Sequence, residues 1–280
     1  MSTPFAALTV PLDASDQAAH AVDYAVALAR GGKTALHFCS VVDPAAIASP
    51  GAMGAMVDPT PLLDALEANA RQVTAAAVDE ARAAGVSADA AVLFGGAATA
   101  IAQSARETGS DGIVICTHAR TGFVRFISGS VTEAVLSLTT VPLIVVHHDD
   151  DAPRNGPITV AIDGSPSSDA ALETAIELAV ADGRSLALMH VVTSGEQWPD
   201  AAPILAAAAD RVRATKLDFE LVTLRGDAAS TIVESAQRRG SPLVVMGTHG
   251  RSGVGRAILG SVAAAVIERA RMPVVVVRKP

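Results

Sequence analysis

Leu8-Thr9-Val10-Pro11-Leu12-Asp13-Ala14-Ser15 and Ile158-Thr159-Val160-Ala161-Ile162-Asp163-Gly164-Ser165 carry one pattern, a short apolar run that ends on Asp-x-Ser. They stand 150 residues apart, from Asp13 to Asp163, and Val41-Val42 keeps that spacing to Val191-Val192. Further on, Ile113-Val114-Ile115-Cys116-Thr117-His118-Ala119-Arg120 lies over Val244-Val245-Met246-Gly247-Thr248-His249-Gly250-Arg251, and the spacing from His118 to His249 has become 131. Gly129-Ser130-Val131 over Gly260-Ser261-Val262, and Val141-Pro142 over Met272-Pro273, hold that second value. A repeat on this scale is established before anything else, because missing it misassigns the whole fold. The two halves are homologous, and the first is longer by 19 residues that fall between Val42 and Gly95. The stretch Pro44 to Pro61, rich in Ala, Gly, Pro and Met, is the expected place, as a long loop or short helix after the second strand.

Working outward, each half alternates β-branched runs with helical stretches. In the second half Ile158 to Ile162 is a strand, and Leu172, Ile176, Ala179 and Val180 recur at helical spacing until Gly183 ends the run. Leu186 to Val192 is the next strand, then an alanine-rich helix near Pro203 to Arg213, a third strand through Phe219, Leu221 and Thr223, and a helix over about Ala228 to Arg239. Leu243 to Met246 is a fourth strand, followed by a glycine-rich loop, a helix opening at Ser261 and a fifth strand Val274 to Val277. Such alternation predicts an α/β fold, a parallel sheet with helices on both faces. Ligands of these sheets bind beyond the carboxyl ends of the strands where strand order reverses, so function is expected after the first and fourth strands of each half. Between the halves, His147-His148-Asp149-Asp150-Asp151-Ala152-Pro153-Arg154-Asn155-Gly156-Pro157 has linker chemistry. The domains are accordingly residues 1–148 and 158–280, joined by 149–157.

Composition excludes several classes. Of 280 residues 50% are hydrophobic and 18% charged, which leaves ample core and argues against disorder. A net charge of -8 speaks against a nucleic-acid binder, and 3% aromatics against base-stacking platforms. No apolar run approaches the ~18 residues of a membrane helix, and Met1-Ser2-Thr3-Pro4 lacks the basic start of a signal peptide. A soluble cytoplasmic protein is expected, with no membrane partner. Cys39 and Cys116 lack CxxC spacing, sit in apolar strands and read as buried reduced thiols.

The chemistry-bearing residues cluster after the fourth strand. Gly247-Thr248-His249-Gly250 through Leu259-Gly260-Ser261 has the spacing Gly-x2-Gly, nine residues, Gly-Ser. Glycines let backbone approach a ligand, and a helix opening at Ser261 offers unpaired N-H groups and a positive dipole end, which suits phosphate. The Ser261 hydroxyl can add a donor or cap its own helix. Asp163, at the end of the first strand, faces the same crevice, where a carboxylate accepts from ribose or base. Loop, spacing and strand-end Asp together describe a nucleotide site.

In these features the chain resembles the universal stress protein family, specifically tandem members with two fused domains, over essentially its whole length. The resemblance implies two doubly wound five-stranded parallel sheets of order 3-2-1-4-5, of the adenine nucleotide alpha hydrolase-like type, paired antiparallel through their last strands, Leu143 to Val146 and Val274 to Val277. That pairing makes the chain an intramolecular pseudo-dimer, able to pair again as a homodimer, and covers apolar edges that would otherwise invite association. It implies ATP, with Mg, across the strand ends. Asp163 and the backbone around Ala161 and Val191 would serve the adenosine end, and Gly247, His249, Gly250, Gly260, Ser261 and Val262 the phosphate and ribose path. The expected role is a nucleotide-responsive stress or signalling module with a protein partner the sequence does not identify. In the first half Asp13, Val41, His118, Gly129 and Ser130 are kept, but the first two loop glycines are Cys116 and Ala119. A Cβ in phosphate space, or at positive φ, predicts a weakened or vacant first site.

Other readings stay beside this one. A nucleotide-free scaffold of the same fold would need no site, and a slow ATPase or adenylyl-transferring enzyme would use one. The His-x-Gly-His and Ser-Gly-Gly-x-Asp-Ser signatures of the latter are missing, and no positioned general base or metal cluster is visible. Ser261, His249 and Asp163 lack the Gly-x-Ser-x-Gly elbow of a serine hydrolase. Gly32-Lys33-Thr34 lacks the leading glycine of a P-loop, since residue 27 is Ala. His147 and His148 beside three aspartates suit an exposed linker better than a metal. His118 and His249 read equally as ligand contacts or loop-fixing groups, and Arg120, Arg125, Arg251 and Arg256 as solvated loop residues or, for the last two, phosphate contacts.

Overall fold

The runs of Val, Ile and Leu become strands and the alanine-spaced segments between them become helices, in a computed structural model that describes residues 4–13, 15, 18–30, 32–47, 58–117, 130–147, 155–250 and 259–279. Contacts divide the chain into two compact units, Phe5–Cys116 and Thr117–Pro280 with Met1–Pro4. The first unit holds β1 (Ala7–Pro11), α1 (Ala18–Ala29), β2 (Ala35–Val42), α2 (Pro44–Ile47), α3 (Thr60–Ala83), β3 (Ala88–Phe94), α4 (Ala97–Glu107) and β4 (Gly112–Thr117). The second holds α5 (Ser130–Leu138), β5 (Leu143–His147), β6 (Ile158–Ala161), α6 (Pro166–Asp182), β7 (Leu186–Val192), α7 (Ala201–Arg213), β8 (Phe219–Arg225), α8 (Ala228–Arg238), β9 (Val244–Gly247), α9 (Ser261–Arg269) and β10 (Val274–Val277).

Within the first unit the strands lie in the order β3-β2-β1-β4, all parallel. Within the second the order is β5-β10-β9-β6-β7-β8, parallel throughout except where β10 meets β5. Strands β6 to β10 therefore take the 3-2-1-4-5 arrangement. The chain runs outward from β6 through β7 to β8 and then returns to the other side of β6 with β9, so the crevice beyond β6 and β9 is the reversal point. The antiparallel pair sets Val274 against Val145, Val275 against Ile144 and Val276 against Leu143. Strand β5 belongs to the first repeat by sequence and to the second unit by contact, because this ladder holds it.

With few aromatics available, both faces of the sheets are closed by small and branched side chains. Ala21 and Ala25 of α1 and Ala171, Ala175 and Ala179 of α6 are buried, which lets α1 pack close on β1 and β2, and α6 on β6 and β7. The repeat extends to polar detail. Thr9 Oγ1 donates to Ser110 Oγ at 2.9 Å, and the equivalent Thr159 and Ser241 hydroxyls meet at 2.7 Å. Such buried hydroxyl pairs satisfy groups that would otherwise cost ~1–3 kcal/mol unpaired. Helix α6 starts on the Ser165 cap, whose Oγ accepts from Ser168 N at 3.2 Å, and stops at Gly183 with φ +64°, a conformation glycine adopts without strain.

Three expectations need correction. The extra length of the first half is not confined to a loop over 44–61. Helix α3 has 24 residues where α7, its counterpart, has 13, so much of the insertion lengthens a helix, while residues 48–57 lie outside the described residues. His147 is not a linker residue: it ends β5, is buried, and its Nε2 donates to Ile267 O at 2.7 Å. Cys116 is only half-buried at the end of β4, whereas Cys39 is buried within β2 and desolvation pushes its thiol up to about 12. Among the described residues, no helix is long and apolar enough to cross a membrane.

Candidate functional site

At the reversal point of the second unit lies a cavity of about 650 Å³, within the ~300–1,000 Å³ range typical of small-molecule sites. Its walls contain Ala161, Asp163, Val191, Gly247, His249, Gly250, Gly260, Ser261 and Val262 of the second half. Ala161, Val191 and Gly247 stand at the carboxyl ends of β6, β7 and β9, Asp163 follows β6, and the loop after β9 with the first turn of α9 supplies the rest. Between these polar ends, Ile162, Met189, Ile232, Met246 and Leu259 form apolar wall.

The loop is held by its own backbone. Thr248 N donates to Val277 O at 3.0 Å, and Gly260 N donates to Thr248 O at 2.9 Å, so Thr248 and Gly260 are clasped together beside β10. At the start of α6, Ser165 Oγ donates to His249 O at 3.1 Å and Ser167 Oγ donates to the same carbonyl. His249 thus fixes the loop through its main chain, while its ring Nδ1 meets Thr248 Oγ1 at 3.1 Å and the residue faces the cavity. Asp163 Oδ1 accepts from Ser165 N at 2.9 Å, a turn repeated by Asp13 and Ser15 N at 3.1 Å in the first half.

The glycines are required for a reason the sequence did not give. None of Gly247, Gly250 and Gly260 has φ in the left-handed region; each is small because another part of the protein touches it. A Cβ on Gly247 would stand 2.7 Å from Ser167 C, one on Gly250 2.7 Å from Asp163 Oδ2, and one on Gly260 2.7 Å from Thr248 O. At Gly247 and Gly260 the obstacle is main chain, so glycine is demanded there before any ligand is considered, while at Gly250 it is the end of the Asp163 side chain, which a Cβ would displace. Ser261 also differs from one of its expected roles. Gly260, with φ −63° and ψ 148°, is the N-cap, and Ser261 is an exposed first helical residue that caps nothing with its side chain. The leading N-H groups of α9 and the Ser261 hydroxyl therefore stay available to an acceptor in the cavity.

Two residues that the sequence reading passed over also line the cavity, His190 and Glu196. His190 sits on β7 beside Val191, and Glu196 follows in the turn after it, where Glu196 Oε2 accepts from Thr193 N at 2.9 Å and Thr193 Oγ1 at 3.1 Å. Asp163 and Glu196 are the carboxylates among the described lining residues. An apolar-walled cavity with an amide-rich end and carboxylates at the other strand ends fits a nucleotide in chemistry and size.

In the first half, Asp13 follows β1 and is exposed, Val41 lies in β2 and Ser130 opens α5. His118, Ala119, Gly129, His148 and Arg120, Arg125, Arg251 and Arg256 lie outside the described residues.

Fold and cavity define a tandem doubly wound α/β protein with a cavity at the reversal point of its second unit. The family model for the universal stress protein family matches residues 5–147 and again 155–278, and the chain belongs to that family. A universal stress protein of Mycolicibacterium smegmatis is 32% identical over 169 residues, 55% of this chain and 57% of that one. One from Mycobacterium tuberculosis is 29% identical over 191 residues, 60% of this chain and 61% of the relative. The chain thus spans about three fifths of the length of these curated relatives. A solved universal stress protein from Archaeoglobus fulgidus superposes with a TM-score of 0.79 at 22% identity, covering 98% of this chain and 96% of that one, which shows the shared fold.

Proposed function

We propose that the second repeat binds an adenine nucleotide, ATP with Mg, and that the protein acts in the cytoplasm as a nucleotide-responsive stress or signalling module. The observation that carries this is the convergence of Asp163, Val191, the glycine loop and the α9 N-terminus on one cavity at the β6–β9 reversal. In that arrangement the base and ribose lie toward β6 and β7, where Asp163 and the backbone near Ala161 and Val191 accept and donate. The phosphates lie toward β9, where Gly247, His249, Gly250, Gly260, Ser261 and Val262 offer N-H groups and a hydroxyl. Bound Mg would supply charge neutralisation of the phosphates. The repeats serve as domains 1–148 and 158–280 around the 149–157 linker, the first with a weakened site. The nucleotide state would be read by a protein partner.

The experiment is thermal unfolding of the purified chain with and without Mg-ATP, together with analysis of nucleotide released on denaturation. The expected result is stabilisation by ~2–3 kcal/mol at a hundredfold excess over Kd, following mass action. It should disappear in Gly250→Val, whose Cβ would displace the Asp163 carboxylate. Absence of stabilisation at millimolar ATP would return the protein to a nucleotide-free scaffold. Steady multiple turnover to AMP or pyrophosphate would move it to the enzyme class.

A further inference from the structure

Within the second unit, β5 and β10 meet about the pseudo-twofold axis of the repeat. Ile144 of β5 faces Val275 of β10, and these are equivalent residues, 131 apart, so the ladder is symmetric about that pair. A contact from one strand end to the other repeat should therefore have a mirror. Three residues beyond Ile144, His147 Nε2 lies 2.7 Å from Ile267 O of α9, and because a carbonyl can only accept, Nε2 carries the hydrogen. Three residues beyond Val275, Arg278 Nη1 donates to Leu136 O at 3.4 Å and Ser137 O at 2.5 Å, both of α5. His147 and Arg278 are counterparts at the same spacing of 131, and so are Leu136 and Ile267. Each repeat closes the final turn of the other's last helix. The register gives the reason. The carboxyl end of β5 runs beside the start of β10, and only residues 270–273 separate β10 from α9, so β5 ends against the last turn of α9. The last four carbonyls of a helix have no partner within it, and Ile267 O is one of them. Both His147 and Ile267 are buried, so the donor to that carbonyl comes from the protein.

We propose that His147 is a positioning residue of the second repeat's cavity, a side chain of the first repeat that sets α9, and with it the N-H groups offered to phosphate, by holding the far end of the helix. This inference rests on the nucleotide reading of that cavity. Helix α9 has nine residues, a length of ~13 Å, and Ser261, Val262 and Ala263 at its start line the cavity. A helix that short moves as one piece, so holding Ile267 O fixes where the amides of the first turn stand. The two mirrored contacts differ in what they serve. Arg278 holds α5, which supplies none of the described lining residues, whereas His147 holds the helix that opens on the cavity. The first repeat, whose own loop carries Cys116 and Ala119 in place of glycines, keeps a part in nucleotide binding through this one contact.

The test is titration calorimetry of the full chain with Mg-ATP and with adenosine, in the wild type, His147→Met, His147→Gln and Arg278→Met. His147→Met removes the donor and fills the space with an adaptable apolar side chain. It should weaken Mg-ATP by about fivefold or more, the ordinary worth of a hydrogen bond, and adenosine by less than about twofold, because only the phosphates use the α9 amides. His147→Gln, whose amide can donate to Ile267 O, should return ATP affinity to within about twofold of wild type, and Arg278→Met, which cuts the mirrored contact, should stay within the same range. Equal weakening of ATP and adenosine in His147→Met, or weakening of neither, overturns the positioning role while leaving the nucleotide site in place. So does a loss in Arg278→Met as large as that in His147→Met. Should His147→Met fail to fold, the ring 15N signals of His147 in the wild type decide. They should shift on adding Mg-ATP and stay in place with adenosine, and signals that ignore ATP overturn the role. Failure of the wild type to bind either ligand overturns the nucleotide reading and the positioning role with it.

Discussion

The two copies of the loop after the fourth strand part at a few positions, and those positions are coupled in space. In the second repeat Ser167 packs on Gly247 and its hydroxyl holds His249 O, so the start of α6 and the start of the loop are fitted to one another. In the first repeat the corresponding residues are Gln17 and Cys116, both larger, and Gly250 is answered by Ala119. A glycine in such a loop is easily credited to the ligand it lets in. Here the comparison teaches that the loop first has to fit the protein, and that the first repeat has lost the small residues on both sides of that fit while keeping the strand-end Asp13-x-Ser15 turn.

The strongest way to break the comparison is to write the first repeat's residue into the second. Gly247→Cys places a Cβ 2.7 Å from the Ser167 backbone carbon, which no rotamer change relieves. Overpacking of this kind costs about 1–3 kcal/mol, and denaturant unfolding should show a loss in that range together with loss of Mg-ATP stabilisation. Trimming the neighbour in the double variant Gly247→Cys/Ser167→Ala should not restore either property, because the clash is with main chain as well as with Oγ. Full rescue would mean that the serine side chain alone excludes larger residues.

A smaller effect is expected from Ser167→Ala alone. It removes one of two hydroxyls on His249 O and leaves Ser165 Oγ in place at 3.1 Å, so the carbonyl keeps a donor. A loss of about 0.5–1.5 kcal/mol in urea unfolding follows from the ordinary worth of one hydrogen bond. Nucleotide affinity should fall only a few-fold, since the clasp between Gly260 N and Thr248 O is untouched.

How far the sequence reached differs between fold and site. Strand and helix order in the second half, including Leu186 to Val192, could be read from periodicity because β-branched runs and alanine spacing are local signals. The nine second-half residues could be brought together because a doubly wound topology sends strand ends and the β9 loop to one crevice. What stayed hidden were interactions without a local pattern. The reason for each glycine is a neighbour far along the chain, such as Ser167 for Gly247 or Asp163 for Gly250. His190 looked like one more residue of a buried strand, and only the geometry shows one nitrogen spent on Ile162 O and the other facing Glu196. The insertion was located correctly between Val42 and Gly95, but its helical share in α3 depends on packing against β2 and β3, which Pro and Gly content cannot reveal.

The smallest effect tests the repeat away from the cavity, where α4 and α8 correspond. Helix α8 begins at Asp227, whose Oδ1 accepts from Ser230 N at 3.0 Å, while α4 begins at Gly96, with the same extended backbone and no side-chain cap. The backbone N-H and hydroxyl of Ser230 hold the Asp227 carboxyl below the ordinary 3.8, and Arg269 adds to this. A carboxyl lowered on folding stabilises the protein above its unfolded value, and that contribution fades as pH falls from about 4 through the lower folded value. Gly96→Asp copies the cap to a position where an added Cβ meets nothing within 4 Å. It should stabilise the first unit by a few tenths of a kcal/mol near neutral pH, the usual difference between Gly and Asp at an N-cap. The gain should fade in thermal scans as pH falls from about 4 through the lowered folded value, and be absent once the new carboxylate is protonated. A gain that persists there would come from glycine's lost flexibility rather than from the cap, and α4 and α8 would then differ in backbone entropy instead of in capping.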